Sequence, residues 1–182
     1  MFMSLKLLKL RCKIFIWSLT GKIKKIHPRL QLSLIQGNHN NILIIFPNDE
    51  SSFRVANYSF RNLGKKSSRK KNIKILVEEQ FEHLFHLRTS ETIFIHETDP
   101  DRILTDEKSV MLDLQQKEYD IIVDLNPKFH LGVARLVSKL SAEMKVGFAS
   151  EFSDQFYNIQ LDISRSGIME KGFKQINWIL AQ

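Results

Sequence analysis

Short apolar runs rich in β-branched residues alternate with amphipathic segments along most of this chain. A run of about five apolar residues is too short for a typical helix and is typical of a strand buried on both faces. The predicted strands are Ile42–Phe46, Ile73–Val77, Thr92–His96, Ile121–Leu125, Lys145–Phe148 and Tyr157–Ile163. The predicted helices are Phe53–Leu63, Glu78–Arg88, Thr105–Glu118, Phe129–Leu140 and Ser166–Ala181. This alternation predicts an α/β domain.

The segment from Tyr119 to Phe148 shows the repeating unit most clearly. Its first strand stops at Asn126-Pro127, because proline lacks an amide donor and restricts the residue before it. A helix with apolar residues at helical spacing follows, and then a second short strand. This is a βαβ unit, whose crossover is almost always right-handed. The sequence therefore predicts a Rossmann-like domain with a mostly parallel sheet of about six strands and helices on both faces.

Residues 2–26 form a predicted helix with a long apolar stripe and no acidic residue. The stripe contains Leu5, Leu8, Cys12, Phe15, Ile16, Leu19, Ile23 and Ile26, and it is widened by Leu7, Leu10, Ile14 and Trp17. A membrane span needs about 20 apolar residues, and the longest uncharged run here is Ile14–Gly21. Two interpretations remain: an interfacial helix held by apolar insertion and anionic lipid, or a helix packed on the domain with its lysines in solvent.

The interfacial interpretation assigns the membrane contacts to one group of basic and aromatic residues. They are Lys6, Lys9, Lys13, Trp17, Lys22, Lys24 and Lys25. It predicts a cytoplasmic protein that docks on the inner face of the cell membrane, and no small-residue cleavage site suggests a secretory signal. The chain then divides into a basic amphipathic extension, residues 1–40, and a Rossmann-like domain, residues 41–182.

The net charge of +7 comes from this extension. Residues 1–40 hold eight of the 27 Lys and Arg residues and no acid, which leaves 19 basic against 20 acidic residues in the rest. A near-neutral domain argues against a nucleic-acid-binding protein. The single cysteine, Cys12, excludes an internal disulfide and fits a reducing compartment.

The segment YDIIVDL at Tyr119, followed by a helix and KVGF at Lys145, resembles the N-terminal half of bacterial heptosyltransferases, glycosyltransferase family 9. The resemblance includes NILIIFP at Asn41 and ANYSFRNLG at Ala56, and it extends to the closing helix Ile168–Leu180. It covers about three quarters of the chain as scattered patterns. Short bacterial proteins with a basic N-terminus show a similar ending.

The resemblance implies a catalytic aspartate in a Gly-Asp pair of the first strand-to-helix loop, acting as general base on the acceptor hydroxyl. An ungapped match places Ser51-Ser52 at that pair, and a serine hydroxyl is a poor base on its own. The residue-by-residue match fails at this pair, and Asp49 is the candidate catalytic residue, with Asp49 or Glu50 able to substitute if the loop is rearranged. In the alternative interpretation, Asp49 and Ser52 only cap the following helix.

Polar residues in the loops after two predicted strands are candidates for the acceptor side of a cleft, because ligands of open α/β sheets bind at the carboxyl ends of strands. They are Asn48, Ser51, Ser52, Asp124, Asn126 and Lys128. Asn126-Pro127 is equally explained as turn chemistry. The basic loop Gly64–Asn72 offers either a phosphate contact or a solvated linker.

No cofactor and no metal are predicted. The first loop lacks the glycines of a dinucleotide or P-loop motif, and His83, His86 and His96 lack the tight clustering of a zinc site.

In the family, a C-terminal half holds most of the nucleotide-sugar donor, and this sequence ends where that half would begin. The resemblance therefore implies a glycosyltransferase-like protein of lipopolysaccharide or cell-envelope glycan assembly, which acts on a nucleotide-sugar with a partner chain or in a homodimer. The alternative is a non-catalytic, membrane-associated binding or scaffold protein.

Overall fold

The computed structural model describes residues 5–23, 39–63, 71–87, 91–99, 102–103, 112, 114–115, 118–164 and 166–181. The helices are α1 (Leu5–Leu19), α2 (Glu50–Ser59), α3 (Leu131–Lys139) and α4 (Met169–Ala181). The strands are β1 (Asn41–Ile45), β2 (Asn72–Glu78), β3 (Glu91–Ile95), β4 (Glu97–Asp99), β5 (Arg102–Ile103), β6 (Tyr119–Asp124), β7 (Ala142–Phe148) and β8 (Ile159–Leu161). Two 3₁₀ turns, Glu79–Leu84 and Ser153–Gln155, complete the described elements.

Six strands form one sheet in the order β3-β2-β1-β6-β7-β8, and every neighbouring pair is parallel. The predicted Rossmann-like α/β class with a six-stranded sheet is confirmed. The strand order reverses between β1 and β6, where Ile45 lies beside Asp124. This is the point at which open α/β sheets form a crevice for ligands.

Both faces of the sheet are covered, because the central strands are apolar at successive positions. On one face, Leu43, Ile45 and Ile122 pack with residues of α1 and α3. On the other face, Ile44, Ile75 and Val123 pack with α2 and α4. The second layer is rich in phenylalanine, with fully buried Phe46, Phe53, Phe60 and Phe173, and each such side chain contributes roughly 2–3 kcal/mol by burial.

The connection between β2 and β3 corrects one sequence prediction. The predicted helix Glu78–Arg88 is a 3₁₀ turn, Glu79–Leu84, and the chain is already extended at Phe85. The stretch brings two aromatic rings into the core. The Phe81 ring stacks on Phe53 at 4.8 Å, and the Phe85 ring meets Phe46 edge-on at 5.5 Å. A 3₁₀ turn rises further per residue than an α-helix and suits such a short connection.

The N-terminal helix is shorter than the predicted segment 2–26. It ends at Leu19, and the turn after it places Gly21 at φ +70°, a left-handed conformation that favours glycine. The amide of Lys22 then donates back to the carbonyl of Trp17 at 2.9 Å. Among the described residues, no helix is long and apolar enough to cross a bilayer.

Some predictions fall on residues that the structure does not describe. The predicted helix Thr105–Glu118 lies outside the described residues except for Leu112, Leu114, Gln115 and Glu118. Most of the basic loop Gly64–Asn72 lies outside them as well, as do Lys24, Lys25 and Ile26. The last predicted strand, Tyr157–Ile163, is shorter in the structure, where it spans Ile159–Leu161.

Candidate functional site

The loops that follow β1 and β6 meet at the point where the strand order reverses. The main-chain amide of Asn48, in the first loop, donates to Oδ1 of Asn126, in the second, at 2.9 Å. Asn126 is buried and Asn48 is half-buried, so this bond is partly shielded from water. It fixes the two loops against each other and gives the polar side chains around them a defined arrangement.

Asp49 is the N-cap of α2. Its Oδ1 accepts from the amide of Ser52 at 2.9 Å and from the hydroxyl of Ser51 at 2.7 Å. Asp49 is thus a helix cap, whereas Ser52 lies inside the first helical turn and its amide donates to the cap. Partial burial would raise the pKa of Asp49. The hydrogen bonds from Ser51 and Ser52 and the charge of Lys128 outweigh it, and the pKa of Asp49 is lowered from its usual value.

Asp124 lies beneath the site rather than on its surface. It is 3% exposed, and its Oδ1 accepts from the amide of Asn126 at 2.9 Å and from the side-chain Nδ2 of Asn126 at 2.7 Å. Its Oδ2 accepts from the hydroxyl of Tyr157, which is also buried. Burial raises the pKa of Asp124 above its usual value, although these bonds and the nearby His130 oppose the rise.

The Tyr157 hydroxyl is a permanent donor in this arrangement. Burial, reinforced by the neighbouring Asp124 carboxylate, raises the pKa of Tyr157 well above its usual value, so the phenol keeps its proton. The ring of Tyr157 lies against Gly147 of β7, where an added Cβ would come within 2.8 Å of it. Tyr157 and Asp124 together therefore support the loop that carries Asn126.

His130 is a site residue that the sequence analysis missed. The predicted helix began at Phe129, but the observed helix α3 begins at Leu131 with His130 as its N-cap, and His130 Nδ1 accepts from the amide of Val133 at 3.3 Å. Its Nε2 lies 3.5 Å from the side-chain nitrogen of Asn48. A polar residue just before an apolar repeat is the signal that indicates such a cap. Nothing in the sequence links Tyr157 with Asp124.

The described site surface is small and polar. Asp49, Ser51 and Lys128 are exposed, and Asn48 and His130 are half-buried. Together they offer a carboxylate, a hydroxyl, an ammonium group, an amide and an imidazole. Such a set suits a polyhydroxylated ligand that carries a negative charge, because hydroxyls need both donors and acceptors and an anion needs the lysine.

The predicted membrane contacts and the histidines considered for a metal site lie away from these loops. Lys6, Lys9 and Lys22 are exposed, whereas Trp17 packs against the core, with the Arg135 guanidinium 4.9 Å from its ring centroid. The Nε2 atom of His96 contacts a carboxylate oxygen of Glu79. The described part of the chain contains no group of three His, Cys, Asp or Glu residues placed to hold a metal.

A six-stranded parallel sheet of this order, with polar loops at the reversal point, defines a Rossmann-like domain. Two solved structures share this fold. Escherichia coli heptosyltransferase WaaC, solved with ADP, has a TM-score of 0.55 and 18% identity over 74% of this chain and 44% of its own. A glycosyl transferase family 9 protein of Veillonella parvula has a TM-score of 0.56 and 14% identity over 76% of this chain and 40% of its own.

The present chain thus spans less than half the length of either structure. The sequence matches no protein-family model and no curated protein. At these identities the likeness shows the fold alone, which this chain shares with part of each of the two glycosyltransferase structures.

Proposed function

We propose that this chain is a glycosyltransferase-like domain that binds the sugar acceptor in the assembly of lipopolysaccharide or another cell-envelope glycan. The observation that carries the proposal is the polar surface formed by the loops after β1 and β6 in a heptosyltransferase-like fold. In this proposal a second domain, a partner chain or another copy supplies most of the nucleotide-sugar site. A transfer reaction needs both walls to bring donor and acceptor together.

The acceptor side is built from rigidly held groups. The Asn48–Asn126 bond joins the two loops, and the buried Asp124–Tyr157 pair supports Asn126 from below. Rigid positioning reduces the ordering cost of binding a flexible sugar. Lys128 is the exposed cation of this surface, and it supplies the charge that would attract an acceptor carrying phosphate or carboxylate groups.

Asp49 is the residue through which this domain would take part in chemistry. It lies at the strand-to-helix loop where the family resemblance implies a base, and it is exposed. Its lowered pKa keeps it ionised at neutral pH, which a general base requires, but also makes it a weak base. The present geometry therefore supports acceptor binding more strongly than catalysis.

The second candidate is a non-catalytic binding or scaffold protein that kept the fold and lost the chemistry. The capping role of Asp49 favours it, because Ser51 and Ser52 both donate to the carboxylate that would have to act as base. Asp49→Asn separates the candidates, since asparagine is an equally good N-cap but carries no carboxylate. If the protein is a transferase, this variant loses turnover of the transfer reaction. If it is a scaffold, the variant keeps the acceptor affinity of the wild type and there is no turnover to lose.

The test is an NMR titration of the ¹⁵N-labelled full chain with core oligosaccharide released from lipopolysaccharide, and separately with ADP-heptose. We expect saturable shifts of the Asn48, Asp49 and His130 amides with the oligosaccharide. Lys128→Gln should weaken binding roughly fivefold, the equivalent of about 1 kcal/mol for a charged contact in partial contact with water. Lys174→Gln, an exposed lysine on α4, is the matched control and should leave the affinity unchanged.

Two results would contradict the proposal. Absence of saturable shifts in a cooperatively folded sample would remove the acceptor role. Saturable binding of ADP-heptose alone, with shifts in the same loops, would mean that this surface is a donor site.

A further inference from the structure

Helix α1 is apolar on two opposite faces. With about 100° between successive residues of an α-helix, Leu7, Leu10, Ile14 and Trp17 fall on one side. In the structure this side packs against the core, with Ile14 only 2% exposed and the other three partly buried. Arg11 reinforces the contact through an ion pair with Glu151. The domain therefore already buries one apolar face of the helix.

The opposite face carries the larger part of the predicted stripe, and it is exposed. Leu5 is 69%, Phe15 64% and Leu19 71% exposed, and Ile16 and Leu8 are 54% and 44% exposed. Cys12 lies in the same stripe and is also exposed. These six residues, which we call the outer stripe, cover roughly 100° of the helix surface. Contiguous apolar patches on a protein surface mark interaction sites rather than random exposure.

The charge around the outer stripe indicates what covers it. Lys9 is exposed directly beside the stripe and Lys6 is exposed further round the helix on the same side, and the described residues 5–23 contain five basic residues and no acid. A helix with a long apolar face, flanking lysines and no acidic residue is complementary to a surface that is apolar inside and negatively charged outside. A helix of fifteen residues is about 22 Å long, too short for a perpendicular span but suited to lying in the interface plane.

We propose that α1 is an interfacial helix that inserts its outer stripe into the headgroup boundary of an anionic phospholipid membrane while its inner face stays packed on the domain. Binding then needs no detachment of the helix, because the two faces are separate. Leu5, Phe15 and Leu19 enter the acyl boundary, and Lys6 and Lys9 contact the lipid phosphates.

Charge argues against a second copy of this chain as the occupant. Pairing two outer stripes would bring the lysines of two acid-free helices to the same interface, and like charges across an interface are unfavourable. An anionic bilayer, in contrast, offers negative charge to the exposed Lys6 and Lys9. Interaction with an anionic surface contributes about fivefold in affinity for each basic residue close to it.

The test is co-sedimentation of the full chain with phosphatidylcholine vesicles, with and without phosphatidylglycerol. We expect binding to the anionic vesicles that weakens at high salt, and at least tenfold weaker binding to pure phosphatidylcholine. Phe15→Ser combined with Leu19→Ser should lower the partition coefficient for anionic vesicles at least tenfold, since two exposed apolar side chains are lost. Lys6→Gln and Lys9→Gln should each lower it about fivefold.

The matched control is Trp178→Ser, which removes a large side chain that is 61% exposed on α4, away from α1. The proposal predicts unchanged vesicle binding for this variant, and unchanged far-UV circular dichroism for all variants. Equal binding to neutral and anionic vesicles, or full binding by the Phe15/Leu19 variant, would overturn the proposal. So would a concentration-dependent dimer, in light scattering, that the Phe15/Leu19 variant abolishes.

Discussion

The hydrogen bond between Tyr157 and Asp124 is the interaction whose loss the structure predicts most sharply. Tyr157→Phe removes only the hydroxyl, so the ring stays packed against Gly147. A hydrogen bond to a charged group contributes about 1.5–3 kcal/mol, and an unsatisfied buried charge adds a desolvation cost. Because both residues are buried, we expect a loss of about 2–3 kcal/mol in the free energy of unfolding at pH values where Asp124 is ionised. For a chain of this length, that corresponds to a melting temperature lower by about 4–12 °C.

The loss should depend on pH in a defined direction. Burial raises the pKa of Asp124 in the folded protein, so ionisation of Asp124 favours the unfolded chain. That penalty is absent below the unfolded pKa and develops as the pH rises towards the folded pKa. Removal of the Tyr157 hydroxyl raises the folded pKa of Asp124 further. The destabilisation by Tyr157→Phe should therefore shrink to about 1 kcal/mol, the contribution of a neutral hydrogen bond, once Asp124 is protonated.

Urea unfolding of the wild type and the variant at a series of pH values measures both quantities. Tyr58→Phe is the matched control, because Tyr58 is 67% exposed and its hydroxyl should contribute less than about 0.5 kcal/mol. A Tyr157→Phe effect as small as the control would refute the reasoning. A destabilisation that grows as the pH falls would refute the assignment of the buried charge to Asp124.

Four further variants, at three positions, test other contacts by urea unfolding. Gly147→Ala should cost about 1–3 kcal/mol through overpacking against the Tyr157 ring, and additivity with Tyr157→Phe would show that the ring is not displaced. Asp49→Ala should cost about 1 kcal/mol and Asp49→Asn much less. Because the pKa of Asp49 is lowered, its ionic contribution is present above the unfolded pKa and should vanish as the pH falls through the folded pKa. Glu91→Gln breaks the Lys74–Glu91 ion pair and should lower the free energy of unfolding by about 1 kcal/mol, because the Lys74 side chain is only 4% exposed while that of Glu91 is 36% exposed. An unchanged free energy of unfolding would mean that this ion pair does not stabilise the fold.

Local pattern was sufficient to predict the sheet, because a strand buried on both faces must be apolar at successive positions. Ile42–Phe46 and Ile73–Val77 differ from the observed β1 and β2 by about one residue at each end, as assignment methods do. The helix predicted at Glu78–Arg88 was wrong for a related reason. Its apolar residues repeat at helical spacing, but the positions of Phe46 and Phe53, which receive Phe85 and Phe81, depend on the assembled fold.

The site was only partly predictable. The loops after β1 and β6 follow from topology, which indicated Asn48, Asp49 and Asn126 as neighbours at one edge of the sheet. The Tyr157–Asp124 contact joins residues 33 positions apart, and no periodicity encodes it. Helix α1 shows the same limit, because a single apolar stripe in the sequence is divided in the structure into a face that the domain buries and a face that it leaves exposed.

In the loop after β1, the hydrogen bonds that make Asp49 a good helix cap also make its carboxylate a weaker base, and this affects its proposed function. Each hydrogen bond from Ser51 and Ser52 stabilises the ionised Asp49, so it strengthens the cap and weakens the carboxylate as a proton acceptor. Lys128 acts in the same direction through its charge. An anionic acceptor bound to Lys128 would neutralise that charge and move the pKa of Asp49 back towards its ordinary value. Acceptor binding and basicity would therefore be coupled in the proposed site, but only in part, because the hydrogen bonds from Ser51 and Ser52, which lower the pKa of Asp49 more than Lys128 does, would remain.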